Sequence, residues 1–557
     1  MNNLYVPLHA HSAEGSIGDS FMETKAYITK AKNMGLKSLA LTDHGSLSAA
    51  YSFYFECKKQ GIKPIIGCEV YETKDRNKKE VREDYHLVLI AKDLKGFQNL
   101  LKITSNAHEE GYYYVPRTDL SYIKQHSKGL LALSGCVGGK IPQMILQNID
   151  QDKIIEAIKE YQDIFQEDYY FEIQPGDFED QRKVNTELLY YAQKLNIPIV
   201  ATNDIHYLDL GDSPYHDCHV KIRRKEKIED PMVYPDEIYY LMDEKEVYQK
   251  FIDIGLDKEA SSTAIKNTEK IANKCNLNIP EKIHMPHFYK DKDEDIALVK
   301  LAYEKLNSIS NTVEDLPKYS ERLEYELSVI KQLGYSGYFL MVHDFIREAK
   351  AQDVAVGPGR GSAGGSLVSY VLGITVADPI KYDLLFERFL SPHRPGIPDI
   401  DLDFSSQDRY KMFLYAKEKY GHDHTCLVST INYRKARSAI DDVARIMGIN
   451  YNTAEAIKKH IPNVFYSEDG DKNADIDLDF ALKNIPEIKK YQKKYPLLFD
   501  IGKKLENLPA FYSKHPAGVL INKDPLWDHI PIGRPDEKTG LAVTSLNLDD
   551  AESAGLT

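Results

Sequence analysis

The strongest constraint on this chain is how its apolar runs end. In the first 210 or so residues, short runs such as SLALTDHG (38–45), YHLVLIAKD (85–93), GLLALSG (129–135) and IPIVATNDIHYL (197–208) alternate with longer amphipathic stretches. Each run has the length of one buried strand, and each is bounded by polar residues. Strands alternating with helices imply an α/β, barrel-like domain that gathers polar groups at its strand ends. Those ends are rich in donors. His9 and His11 put two imidazoles on one face of an expected strand. Asp43-His44 closes one run, Glu69 follows IIGC, His86 opens HLVLIA, Cys136 sits in LSGCVGG, and Asp204 and His206 close the last run. Any one of these alone is a satisfied residue at a core edge. Together, imidazole, carboxylate and thiol groups suit zinc, manganese or iron.

The rest of the composition sets bounds. At 557 residues the chain is too long for one core, so two to four domains are expected. With 42% hydrophobic and 28% charged residues it reads as globular. No run of about 18 apolar residues suggests a membrane span, and MNNLYVPLHAHSAEG lacks the basic and apolar regions of a signal peptide. Six scattered cysteines with no CxxC pair imply a reduced, cytoplasmic protein. The net charge of −14 argues against a nonspecific nucleic-acid coat, but not against an enzyme with a local basic groove.

Five segments are expected: an α/β metal domain over 1–270, a Pro-rich charged linker over 271–295, a second α/β domain over 296–433, a helical insertion without clear strands over 434–508, and a return to that second domain over 509–557. The second domain reads as helices and then VAVGPGRGSAGGSLVSYVLGI (354–374), an apolar strand end, a glycine-rich turn and an apolar helix. Its backbone N–H groups and helix N-terminus form an expected anion nest, with Ser362 and Ser366 as donors and Arg360 as a cation. No GK[ST] follows, so it is not a Walker A loop. About 25 residues on, PGIPDIDLDF (395–404) places Asp399, Asp401 and Asp403 on one expected strand face. Carboxylates beside a phosphate loop are what two-metal phosphoryl transfer uses, with two Mg²⁺ about 4 Å apart.

HAHS, TDHG, GCE, the lone His86, SGC and NDIH, in this order, resemble the polymerase-and-histidinol-phosphatase (PHP) metal domain. With GYYYVPRTD (111–119), they resemble that domain as it opens bacterial replicative DNA polymerase III alpha subunits. The resemblance implies nine ligands for up to three metals: His9, His11, Asp19, His44, Glu69, His86, Cys136, Asp204 and His206. It also implies phosphoester hydrolysis, including 3′–5′ exonuclease action. GYSGYFLMVHDFI, the glycine-rich turn, DPIKYDLLFERFLSP and PDIDLDF resemble the palm of the same family. That implies a nucleotidyltransferase-like palm with Asp401 and Asp403 as two of three catalytic aspartates holding Mg²⁺ and Asp399 in support. Arg360, Gly361, Ser362, Ser366 and Arg388 would meet the incoming deoxynucleoside triphosphate. The helical insertion resembles the thumb that grips primer-template DNA, with Lys435, Arg437, Arg445 and His515 as candidate contacts. Departures from the family pattern are Gly364, Ser391 and Asp441.

The third aspartate, the fingers and the clamp-binding peptide would lie beyond Thr557. The 557 residues alone are therefore expected not to polymerise. A second chain or a C-terminal continuation would supply the rest, and any contact with a sliding clamp would run through it. Two other readings stay open at this point. One is a free-standing PHP phosphatase, which leaves the second constellation unexplained. The other is a non-catalytic replisome scaffold, against which the nine retained ligand types count.

Overall fold

The structure is a computed structural model. It describes residues 5–556 apart from 81, 235, 281–287, 290, 314, 394–397, 463–464, 467–471 and 474–475. The expected alternation forms a seven-stranded sheet from β1 (Ser38–Leu41), β2 (Lys63–Glu72), β3 (Tyr85–Ala91), β4 (Arg117–Thr118), β5 (Leu130–Leu133), β6 (Tyr169–Ile173) and β7 (Ile199–Ala201). The order is β1-β2-β3-β5-β6-β7, with β4 on β2. All pairs are parallel except those of β3, which runs antiparallel to both β2 and β5.

Residues 7–11 join the two edges of this sheet. Ala40 N–H donates to the Pro7 carbonyl and Thr42 N–H to the Ala10 carbonyl on the β1 side, while His11 N–H and the Ile205 carbonyl, and Ile205 N–H and the His9 carbonyl, pair on the β7 side. His9 and His11 therefore do not lie on a ladder strand, as expected from the sequence, but on an extended segment with one bridge, Ala10 to Ile205. That segment still curls the sheet into a barrel-like form, and it aims both imidazoles inward. Inside, Leu8, Ala40, Ile65, Val88, Leu131 and Val200 form a dry cluster. Burying each of the larger ones is worth roughly 1.5–3 kcal/mol. The helix Lys258–Lys274 caps one end, where Val6 N–H donates to Thr268 Oγ1 and Asn267 Nδ2 to the Ile199 carbonyl. This helix crosses the linker boundary expected at 270, because its Ile271, Ala272 and Cys275 flank complete the barrel's apolar interior. Much of the remaining linker falls outside the described residues.

In the second half, the helices Glu294–Ser308, Leu316–Leu333 and Ser336–Ala351 share a core with the helix Leu367–Val371. β8 (Thr425–Tyr433) leads into the helical insertion, which contains a two-residue hairpin, β9 (Phe465–Tyr466) with β10 (Lys472–Asn473). The expectation of an insertion without strands is corrected to that extent. β11 (Pro509–Ile521) returns antiparallel to β8, and residues 542–546 hydrogen-bond along the other edge of β8.

The insertion has its own core around Ile440, Val443, Leu498 and Phe499. Ala13, Cys218 and Ile222 of the first domain belong to the same cluster. The helix Ser213–Arg224 thus lies between barrel and insertion. Arg434 pairs with Asp442 at 2.9 Å and lies 3.4 Å from His219 Nδ1, and Tyr512 donates to the Glu14 carbonyl.

Candidate metal centre and acidic cleft

The barrel brings the nine expected donors to one end. In parallel strands that end is C-terminal, which explains why His44, Cys136, Asp204 and His206 follow their apolar runs. β3 runs the other way, so its donor comes from its beginning: His86 sits in register with Tyr71 of β2. Glu69 is the hub. Its Oε2 lies 3.4 Å from His9 Nε2, 3.4 Å from His11 Nε2 and 2.8 Å from His44 Nδ1, and its Oε1 lies 2.7 Å from His86 Nδ1. Asp204 Oδ1 lies 3.0 Å from His11 Nε2 and 3.4 Å from His9 Nε2. Asp19 Oδ2 reaches His44 Nε2 at 2.9 Å and His206 Nε2 at 3.8 Å. Cys136 Sγ is 3.4 Å from His86 Nδ1. Asp204 is held at φ 52°, a left-handed backbone that costs a non-glycine residue about 1 kcal/mol or more and that recurs at functional sites.

The electrostatics are those of a site built around positive charge. Burial alone would depress His9, but Glu172, Asp204 and Glu69 outweigh it and hold its pKa well above the usual range. Burial and the neighbouring His44 and His206 keep His11 neutral. Burial, with Glu69 and Asp204 nearby, pushes the Cys136 thiol well up. Against burial, the imidazoles of His206 and His44 hold Asp19 well below the normal carboxylate range.

His9 Nε2, His11 Nε2, both ring nitrogens of His44, Glu69 Oε2 and Asp204 Oδ1 are buried and face one another at 2.8–3.4 Å, yet none makes a well-directed hydrogen bond among the described residues. Orphaned donors this close together are costly unless something coordinates them. Three overlapping triads converge tightly enough to share an ion each: His9/His11/Glu69, His11/His44/His206 and His44/Glu69/His86. The donor set therefore fits a multi-metal cluster.

Several contributors escaped the sequence reading. Glu172, in β6, lies 2.6 Å from His9 Nδ1 and accepts from Gln174 and Thr202. It fixes the His9 ring with Nε2 facing the cluster. The acid inside the apolar run YYFEI was its signal. Tyr234 hydroxyl lies 3.2 Å from Asp19 Oδ1 and 3.2 Å from His206 Nε2, and nothing in its local sequence marks it. His216 and His219 are buried beside the site, with His216 Nε2 2.8 Å from the Asp19 carbonyl. Glu172→Ala is expected to weaken metal retention roughly 10- to 100-fold, measured by competition with a chelating dye.

The second constellation forms a separate cleft of about 540 Å³, lined by Tyr338, Arg360, Asp399, Asp401, Asp403 and Val519. The acidic residues do not form the expected ladder strand. Residues 395–397 lie outside the described residues, and 399–403 belong to no strand, the one bridge nearby joining Phe404 to Val356. Gly357 N–H donates to the Asp403 carbonyl, and a Cβ at Gly357 would meet that of Asp403 at 2.9 Å, so only glycine allows this approach. Arg360 Nη1 pairs with Asp401 Oδ2 at 2.7 Å and its Nε with Asp403 Oδ2 at 3.2 Å. The two carboxylates can thus converge on one cation.

Gly361 and Ser362 lie exposed on the following turn, Gly361–Gly365, and Arg388 is exposed on Phe386–Arg388. Ser366 is a correction. It is fully buried, caps the five-residue helix Leu367–Val371 and donates to Glu326 Oε2 at 2.9 Å. The same carboxylate accepts from Leu367 N–H and Val368 N–H. The expected anion nest at this helix start is already filled by the chain's own acid.

Of the expected DNA contacts, Lys435 is exposed just before the helix Ala436–Ile446 and Arg437 half-buried within it. Arg445 pairs with Asp442 at 2.9 Å, and Asp441 pairs with Lys458. His515 Nδ1 accepts from Gly518 N–H at 2.8 Å within β11.

Comparison with known proteins agrees with this division. Residues 7–176 match the PHP domain model, and residues 296–557 match the model of the bacterial DNA polymerase III alpha NTPase domain. A DNA polymerase III subunit alpha from Aquifex aeolicus (strain VF5) is 35% identical over 595 residues, covering 100% of this chain and 51% of its own. Its counterpart in Borreliella burgdorferi is 36% identical over 565 residues, covering 99% and 48%. That in Treponema pallidum (strain Nichols) is 34% identical over 568 residues, covering 99% and 46%. The chain spans about half the length of these curated relatives. No helix among the described residues is long and apolar enough to cross a membrane. On its two collinear matched domains and full-length similarity to these subunits, the chain belongs to the bacterial DNA polymerase III alpha family, with a PHP domain ahead of the NTPase domain.

Proposed function

We propose that this chain carries the PHP phosphoesterase, palm and thumb portion of a replicative DNA polymerase, with a PHP centre that hydrolyses phosphodiesters at DNA 3′ ends. The observation that carries the phosphoesterase part is the set of three overlapping donor triads built on His11, His44 and Glu69, whose facing atoms on those three residues and on His9 are buried without a well-directed hydrogen bond. His9, His11, Asp19, His44, Glu69, His86, Cys136, Asp204 and His206 would hold the ions. Zinc, manganese or iron there would supply Lewis acidity to a phosphodiester. The chain's own residues do the remainder. Glu69 and Asp204 hold the imidazoles in register, and Glu172 sets the His9 tautomer. Tyr234, against Asp19 and His206, can donate to a phosphate oxygen, and Arg82, Arg223 and Arg224 line the mouth where phosphate charge would enter.

For the palm, Asp401 and Asp403 would hold two Mg²⁺, with Asp399 beside them. Arg360, which now bridges the two carboxylates, would swing to the triphosphate when cations replace it. Gly361, Ser362 and Arg388 would complete that contact, and Lys435, Arg437, Arg445 and His515 would follow the primer-template backbone.

Two assays test this reading. A metal-dependent single-strand exonuclease assay on the purified chain should show hydrolysis; its absence with every candidate metal would contradict the phosphoesterase part. In the second, Mn²⁺ bound per chain, read by electron paramagnetic resonance, should fall in Asp401→Asn/Asp403→Asn; unchanged Mn²⁺ binding in that variant would contradict the palm part.

A further inference from the structure

The metal centre opens into more space than a scissile phosphate needs. One cavity, about 610 Å³, lies directly over Asp19, His86, Cys136 and Asp204. A second, about 730 Å³, runs between the loop around 108–116 and the segments 512–514 and 533–545 of the second half. His44, Tyr71, Val115 and Arg223 line both, so the two form one groove with the metal residues at one end.

The wall of the outer arm has an unusual make-up. Tyr112 and Tyr114, from the run GYYYVPR, both line it. Tyr114 is 65% exposed, although a tyrosine ring gains from burial, and it sits at φ 63° in the left-handed region. Its only ring contact among the described residues is edge-on to Tyr113 at 4.7 Å, so the left-handed backbone holds a mostly exposed aromatic in place. Cations accompany the rings. The Arg534 guanidinium lies 4.4 Å from the Tyr112 ring centroid, and the Arg82 guanidinium 5.4 Å from that of Tyr114. Lys514 is neutralised by Asp536 at 2.6 Å. Arg223 and Arg534 form no ion pair among the described residues, and the acids lining this arm are Asp536, already paired with Lys514, and Glu537. Solvent-accessible tyrosine rings interleaved with cations that form no ion pair are what a single strand requires: stacking of about 1–3 kcal/mol per base, indifferent to sequence, and charge for the backbone.

We infer that this outer arm is a subsite for single-stranded DNA, holding the nucleotides behind the 3′ end presented to the metal residues, with bases on Tyr112 and Tyr114 and phosphates on Arg223 and Arg534. The strand therefore reaches the metal centre from the side of β11. The inference rests on the phosphoesterase reading for what happens at the far end, but binding is measured without turnover. The chain in EDTA is titrated with a 5′-fluorescein oligo-dT carrying 5-iodo-deoxyuridine near its 3′ end. Fluorescence anisotropy gives Kd, and irradiation followed by mass spectrometry gives the contact.

Cross-links within residues 111–117, together with a Kd at least fivefold weaker for Tyr112→Ala/Tyr114→Ala and for Arg534→Ala, are expected. The pair Tyr112→Phe/Tyr114→Phe should keep the original Kd, because the ring faces remain. No binding by the unaltered chain, cross-links confined to the helical insertion or acidic cleft, or a Kd change below fivefold overturns the subsite. Hydrolysis of bis(p-nitrophenyl) phosphate by the metal-loaded, unaltered chain is scored separately. Its absence would sink the phosphoesterase reading while leaving strand binding as measured.

Discussion

Asp204→Ala/His206→Ala is expected to lower metal-dependent phosphodiester hydrolysis by roughly 10³-fold or more, the equivalent of about 4 kcal/mol of transition-state stabilisation. Asp204 Oδ1 faces both His9 and His11, and His206 completes one of the three triads, so the pair touches most of the cluster at once. The variant should still fold, because the barrel interior around Leu8, Val88 and Leu131 lies on the other side of the ligand layer. Activity is measured on a single-stranded oligonucleotide, with circular dichroism as the folding control. A folded double variant with full activity would remove the cluster from the reaction.

Glu326→Ala has the second large effect, and it falls on the glycine-rich turn. Glu326 is fully buried, pairs with Arg322 at 2.7 Å and accepts from Ser366 Oγ and from the N–H groups of Leu367 and Val368. Alanine would leave three donors without their acceptor and remove the charge partner of Arg322, which keeps only the Gly365 and Leu384 carbonyls. Breaking a buried pair from one side costs about 3–5 kcal/mol. The loss should be local, since the carboxylate ties the helix Leu316–Leu333 to the start of Leu367–Val371. Hydrogen exchange over residues 361–371 should accelerate by roughly 100-fold or more. Glu326→Gln, which keeps acceptor capacity, should show a smaller effect. Unchanged exchange in the alanine variant would mean that the turn is held by something else. Arg360 stands on the same loop, so its pairing with Asp401 and Asp403 should weaken with it.

The metal residues were legible because coordination restricts residue type and the α/β pattern restricts place. His44, Cys136, Asp204 and His206 follow apolar runs, and His86 precedes one because β3 is reversed. Glu172 was missed for a physical reason: it acts through His9, and a lone acid in an apolar run looks like an ordinary strand residue. Ser366 was misread because its true partner, Glu326, is 40 residues away on a helix where it resembles a solvated acid. No periodicity reports that kind of tertiary capping. The alternation in PDIDLDF points to one shared face, and Asp401 and Asp403 do share one guanidinium, Arg360, which the sequence assigned to phosphate. The alternation overstated the strand: among the described residues of this stretch, Phe404 alone has a bridge partner. The spacing could not show that Tyr234 and His216 would close around Asp19, since both come from segments distant from it in sequence.

Metal stoichiometry is the most direct test of the central claim that His9 to His206 form a live cluster. The chain is stripped with chelator, dialysed against zinc or manganese, freed of loose metal by gel filtration and analysed by inductively coupled plasma mass spectrometry. The PHP centre is predicted to retain two to three ions per chain, falling below one in Asp204→Ala/His206→Ala. Retention of less than one ion by the unaltered chain with every metal tried would contradict it.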